Sequence, residues 1–207
     1  MIRAVLFDFD GTLTRPEAID FAALRKLLDC PPGTPILEYI EALPSREARE
    51  RAHRVLDEFE LAAARASVPN EGAEELVAHL RRRRIARGIL SRNSRGSVQT
   101  ALANFSTLTG DDFSVILTRE NAGRPKPQPD GVLGAARLFG VPPAEILVVG
   151  DYVFDIAAGR AAGARTALLT NGRAALPIEP APEFTVARLE ELRPILDREA
   201  GPPKEAE

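Results

Sequence analysis

Two aspartates stand two positions apart in VLFDFDGTLT, residues 5 to 14, at the end of an apolar run. In an extended chain alternate side chains share a face, so Asp8 and Asp10 project together while Phe9 projects the other way. Gly11 then lets the backbone turn sharply, close to any bound group. A carboxylate pair held like this suits nucleophilic attack, proton transfer or cation binding. Three further stretches carry groups of similar kind. GILSRNS offers Ser91 and Asn93, a hydroxyl and an amide able to hold the oxygens of an anion. GRPKPQP brackets Lys126 with Pro125 and Pro127, which stiffen its loop. VVGDYVFD sets Asp151 and Asp155 four residues apart, on one side of a helix if one begins there.

Taken singly, each group has a plain structural explanation. Asp8 and Asp10 can be a solvated strand end, and Ser91 with Asn93 a turn or helix cap. Lys126 can be an exposed loop lysine and Asp155 a first-turn acid at a helix N-terminus. Together they supply several carboxylates, one ammonium and a neutral hydrogen-bonding pair. Clustered carboxylates repel unless a cation sits among them, and hard oxygen ligands suit Mg²⁺.

What must position these groups is a set of short apolar runs: residues 4–8, 86–91, 113–118, 146–151, 165–170 and, more weakly, 184–187. Several are apolar on both faces, as in a parallel sheet covered by helices. Between them lie helical patterns, such as PDGVLGAARLFG with Gly140 at its stop and DIAAGRAAG ending at Gly163. Alternation of this kind predicts an α/β fold, a doubly wound parallel sheet, with the four polar groups at one sheet edge. Residues 15–84 break the pattern, with no strand and several helices, one with Thr34 as N-cap and Pro35 in the first turn. This block is expected to be a small all-helical cap with its linkers, inserted after the first strand. Residues 1–14 and 85–200 then form the core, and the tail 201–207 is expected to fray.

The chain has 207 residues, 44% hydrophobic and 28% charged, with a net charge of −3. This balance gives no reason to expect nucleic acid or an acidic membrane surface as partner. RRRR at 81–84 reads as a solvated helix end, where cations suit the dipole. Cys30, the single cysteine, rules out an intrachain disulfide, and its flanks suggest an inert thiol. His53 and His79 read as exposed helix positions. The chain opens on strand-like sequence and has no apolar stretch approaching 18 residues, so a cytoplasmic protein is expected.

The order DxDGT, strand-end Ser, Pro-flanked Lys and GDxxxD resembles the haloacid dehalogenase superfamily. Within it, the chain is similar to the phosphoglycolate-phosphatase-like hydrolases, which carry a helical cap after the first motif. The resemblance implies a Mg²⁺-dependent phosphatase for a small phosphorylated metabolite. Asp8 would attack phosphorus and Asp10 would serve as acid and then base. Ser91, Asn93, Gly11 and Thr12 would surround the phosphate, and Lys126 would neutralise it. Mg²⁺ would be held by Asp8, the carbonyl of Asp10 and Asp151, with Asp155 acting through water or by orienting Lys126. The cationic help is needed because one like-charge pair at about 4 Å costs about 4 kcal/mol at an effective dielectric of 20, and a dianion roughly doubles that.

One departure is Arg92, which stands between Ser91 and Asn93 where many relatives place Asn directly; it reads as a substrate contact or a solvent-facing charge. Arg15, Arg25, Arg46 and Arg49 are candidates for an acidic substrate tail. A phosphomutase shares the same core and stays open as an alternative. A haloalkanoate dehalogenase fits less well, since it needs neither Asp10 nor GDxxxD, and a non-catalytic binding protein would be expected to lack Asp8 or Lys126.

Overall fold

All six apolar runs form strands: β1 (Ala4–Phe7), β2 (Ala86–Leu90), β3 (Val115–Leu117), β4 (Ile146–Gly150), β5 (Arg165–Leu169) and β6 (Phe184–Val186). The computed structural model describes residues 1–16, 19–174 and 177–199. The tail expected to fray lies outside them. The strands make one parallel sheet in the order β3-β2-β1-β4-β5-β6. Strand order reverses between β1 and β4, the crevice where sheets of this kind receive ligands.

Alternation along β1 explains the layers. Val5 and Phe7 join one apolar cluster with Leu76 and Leu80 of α4 (Ala73–Arg82), Val98 of α5 (Arg95–Leu102) and Leu196 of α8 (Leu192–Glu199). Ala4 and Leu6 face the other way, onto Val132 of α6 (Asp130–Phe139) and Ala158 of α7 (Val153–Ala161). Helices on both faces account for strands without a polar side. Gly140 ends α6 with φ 66°, a left-handed conformation open to glycine at no steric cost.

The first strand is followed by α1 (Phe21–Leu27), α2 (Ile36–Glu41) and α3 (Arg46–Ala66), which bury an apolar cluster of their own around Leu24, Ile36, Ile40 and Leu56. Ser45 caps α3 by accepting from the Ala48 N–H at 3.1 Å. Two sequence readings shift here. The N-cap of α2 is Pro35, not Thr34, because the first intrahelical bond, from the Tyr39 N–H, goes to the Pro35 carbonyl at 2.9 Å. And α4 lies on the sheet, not with the helical block read as 15–84, because the parallel step from β1 to β2 requires a crossover helix.

The arginine run is only partly solvated: Arg81 pairs with Asp112 at 3.1 Å and Arg83 with Asp197. His79 is half-buried rather than exposed, 2.9 Å from the same Asp197, and His53 contacts Glu41. Among the described residues no helix is long and apolar enough to cross a membrane.

Candidate active site

Because β1 and β4 are neighbours in register, with Phe7 opposite Val149, the chain ends that follow them meet. Asp8 donates its N–H to the Val149 carbonyl at 2.8 Å, which sets its carboxylate beside the turn that carries Asp151. The turn over Phe9–Leu13 depends on Gly11 at φ 75°, where a Cβ would meet Asp151 Oδ2 at 2.2 Å. No larger residue fits without displacing that carboxylate.

Lys126 reaches the same point from the loop after β3. Its ammonium is buried and donates to Asp8 Oδ1 at 2.6 Å, Asp155 Oδ1 at 2.6 Å and the Leu90 carbonyl at 2.8 Å. All three protons are spent, so its position is fixed. Burial alone would lower the lysine pKa, but Asp155 and Asp8 outweigh it and hold it above the ordinary value. Asp155 is pinned from its other side by the Tyr152 N–H at 3.1 Å.

Asp8, Asp151 and Asp155 each offer a carboxylate oxygen, and these atoms lie within 4.8 Å of one another. Burial first, then Asp8 and Asp155, push Asp151 up to about 8. Burial and the Asp8 charge raise Asp155 to about 6 despite Lys126. Hard oxygen donors packed this closely, whose negative charges repel unless a cation sits among them, fit a small divalent cation. The Asp10 carboxylate is outside this cluster. Burial, then Asp8 and Glu60, raise it to about 7, well above the ordinary carboxylate range.

Asp8, Asp10, Gly11, Ser91, Asn93, Lys126, Asp151 and Asp155 all line one cavity of about 480 Å³. Ser91 is buried at the end of β2, its Oγ accepting from the Asn93 N–H at 3.1 Å. Asn93 gives its side-chain amide to Asp10, so in this arrangement it serves that carboxylate. Thr12 does not line the cavity; its hydroxyl is buried with no partner among the described residues. Arg92 lines the cavity and is only partly exposed, with its charge already paired. Its guanidinium bridges the two Glu38 carboxylate oxygens, at 3.1 and 2.6 Å, contacts the Lys126 carbonyl and lies 5.1 Å from the centre of the Phe154 ring. Cys30, whose sequence flanks offer no basic partner, lies 3.3 Å from Arg25, brought round by the end of α1.

Several contributors carry no obvious motif. Glu60 of α3 is 4% exposed, lines the cavity and pairs with Arg119 at 2.8 Å. Its pKa is raised by burial, with Arg119 opposing. The signal was available: Ala52, Leu56, Glu60 and Ala64 form the buried stripe of α3, and an acid on an apolar stripe calls for a partner. Asn70 and Asn171 bond each other at 2.9 Å and hold the Thr12 and Gly11 carbonyls at 2.9 and 2.7 Å. Asn171 precedes Gly172, a turn dipeptide after β5, which marks a turn without revealing its partner.

A sequence model described as haloacid dehalogenase-like hydrolase matches residues 2–163. An uncharacterized hydrolase of Saccharomyces cerevisiae is 35% identical over 172 residues, spanning 82% of this chain and 78% of the yeast protein. The N-acetylmuramic acid 6-phosphate phosphatase of Pseudomonas aeruginosa is 26% identical across 95% of this chain and 96% of its own. Among solved structures, a hydrolase from Pseudomonas syringae superposes with a TM-score of 0.79 at 24% identity, covering 95% of this chain and 98% of that one.

Proposed function

Since the chain belongs to the haloacid dehalogenase-like hydrolases, we propose that it is a Mg²⁺-dependent phosphomonoester phosphatase working through a phosphorylated Asp8. The observation that carries this reading is the Asp8–Lys126–Asp155 ion-pair chain at the foot of a cavity that Asp10 also lines.

In this reading an Asp8 oxygen bonds to phosphorus as the ester P–O bond breaks. Asp10 gives its proton to the departing alcohol oxygen, then takes one from the water that attacks the acyl phosphate. That second displacement releases inorganic phosphate and restores the Asp8 carboxylate. A pKa of about 7 suits a group that must both give and accept a proton. Lys126 holds Asp8 in place and offsets the charge of the incoming dianion, while Ser91 provides a hydroxyl for a phosphoryl oxygen. Asn93 orients Asp10 through its amide. Asp8 and Asp151, with Asp155 and the Asp10 carbonyl beside them, would hold Mg²⁺, which when bound supplies Lewis-acid neutralisation of the phosphoryl oxygens.

The helices α1–α3 act in this reading as a cap that shuts water out. Residues from them line the cavity, and their bonds to the core include Arg92–Glu38, Arg119 with Asp57 and Glu60, and Asn104 with the Ala64 carbonyl. The experiment is hydrolysis of para-nitrophenyl phosphate with Mg²⁺, with EDTA, and by Asp8→Asn. Turnover that needs Mg²⁺ and disappears in the variant supports the reading; turnover retained by Asp8→Asn overturns it.

A further inference from the structure

We propose that the site takes phosphomonoesters whose leaving group carries a ring with a largely apolar body, in preference to short acidic or polyol phosphates. This rests on the phosphatase reading and specifies its substrate class. The cavity of about 480 Å³ falls within the range of sites that hold drug-sized ligands, far larger than a phosphoryl group needs. Beside its charged and polar groups the wall has an apolar stretch, with Ile19, Ile36 and Leu56 supplied by the helical block and its linker.

Two aromatic side chains at this cavity are left uncovered by the protein: Phe21 is 55% exposed and Tyr152 57%. Large exposed aromatics beside a cleft are the informative kind of exposure, because a bound ring recovers their apolar surface. Tyr152 is held in place. Its N–H is tied to Asp155, and its ring meets Phe154 edge to face, centroids 5.0 Å apart. The platform is thus ordered before any ligand arrives, which lowers the entropic cost of stacking.

Charge argues in the same direction. Were an acidic tail the main determinant, buried guanidinium groups should be free to meet it. Arg25 is instead engaged with the Pro31 and Thr34 carbonyls, and Arg92 with Glu38 and the Lys126 carbonyl. Arg46 pairs with Glu50 and Arg49 with the Leu43 carbonyl. Arg15 and Arg173 line the cavity only as exposed residues, where water and salt screen their charge.

The test compares benzyl phosphate with glycerol 3-phosphate and phosphoglycolate, alkoxide leaving groups that differ chiefly in what the cavity wall meets. Beside it, calorimetry measures binding of benzylphosphonate and phosphonoacetate, neither of which is hydrolysed. We expect kcat/KM for benzyl phosphate at least about tenfold above either competitor, in line with hydrophobic pocket discrimination. Benzylphosphonate should bind tighter than phosphonoacetate. Phe21→Ala and Tyr152→Ala, both at exposed positions, should each shrink the benzyl preference about threefold or more, through KM rather than kcat.

Equal or better turnover of glycerol 3-phosphate or phosphoglycolate overturns the inference and leaves the phosphatase reading standing. Loss of the same factor from every substrate in both variants also overturns it. If no phosphate ester turns over with Mg²⁺, the phosphatase reading fails. The calorimetric comparison then decides the ring site on its own, and phosphonoacetate binding as tightly as benzylphosphonate would sink it.

Discussion

Replacing Lys126 by Met keeps an unbranched side chain one atom shorter and removes its charge. The ammonium is 4% exposed and touches Asp8 and Asp155 at 2.6 Å each, with Asp151 in the same carboxylate cluster. For charge centres about 4 Å apart each lost contact is about 4 kcal/mol at an effective dielectric of 20. Part of this is offset because a buried cation no longer has to be desolvated. Breaking a buried pair by removing one partner usually costs about 3–5 kcal/mol net. For a chain of this size that corresponds to roughly a 10 °C drop in Tm.

The loss should depend on pH, and its direction follows from the carboxylates. Asp155 and Asp151 are raised to about 6 and about 8, above their unfolded value of 3.8. Groups raised in the folded state contribute stability fully below the unfolded pKa and lose it as pH rises through the folded pKa. Without Lys126 the cluster can relieve itself only by taking up protons. Metal-free Lys126→Met should therefore approach wild type at pH 5 and fall furthest behind at pH 8 to 9. Thermal or urea denaturation in EDTA at both pH values measures this. A deficit that is absent at pH 8, or larger at pH 5 than at pH 8, would refute the electrostatic reasoning.

Other perturbations address separate parts of the site. Wild type should lose kcat/KM as pH rises above about 7, and Asp10→Asn should cost about 10²–10⁴-fold in kcat and remove that fall; a profile unchanged in shape would exclude Asp10 as the proton donor. Gly11→Ala sets a Cβ 2.2 Å from Asp151 Oδ2 at φ 75°, so Mg²⁺ titration of activity should shift to higher concentration by tenfold or more, and wild-type Mg²⁺ dependence would count against this packing. Glu38→Ala and Arg92→Ala, combined in a double-mutant cycle, should give a coupling of about 1 kcal/mol for this partly exposed bidentate pair. Additive effects in urea denaturation would mean that the pair does not join α2 to the core.

The fold was legible because its cues are local. Runs apolar on both faces announce β1, β4 and β5, and Gly140 announces the end of α6 within a few residues. The acids and the lysine were legible for a related reason: each lies on the segment that follows a strand, and a parallel sheet brings all such segments to one edge. Contacts made across the chain were not. Arg92 finds Glu38, 54 positions away, and Arg119 finds Glu60 at a separation of 59. Nothing adjacent to either arginine specifies those partners, and the same holds for Asn70 and Asn171, 101 positions apart. The placement of α4 was misjudged because a helix on the sheet and a helix in the inserted block show the same amphipathic period.

The central claim is that Asp8 itself carries the phosphoryl group. Mixing the Mg²⁺-loaded enzyme with excess benzyl phosphate, quenching in acid within the first turnover and weighing the protein and its peptides tests it directly. The mechanism predicts a mass gain of one phosphoryl group on the peptide containing Asp8, transient in wild type and absent from Asp8→Asn. Release of inorganic phosphate from an enzyme that never gains mass, or a phosphoryl group found on any other residue, would contradict it.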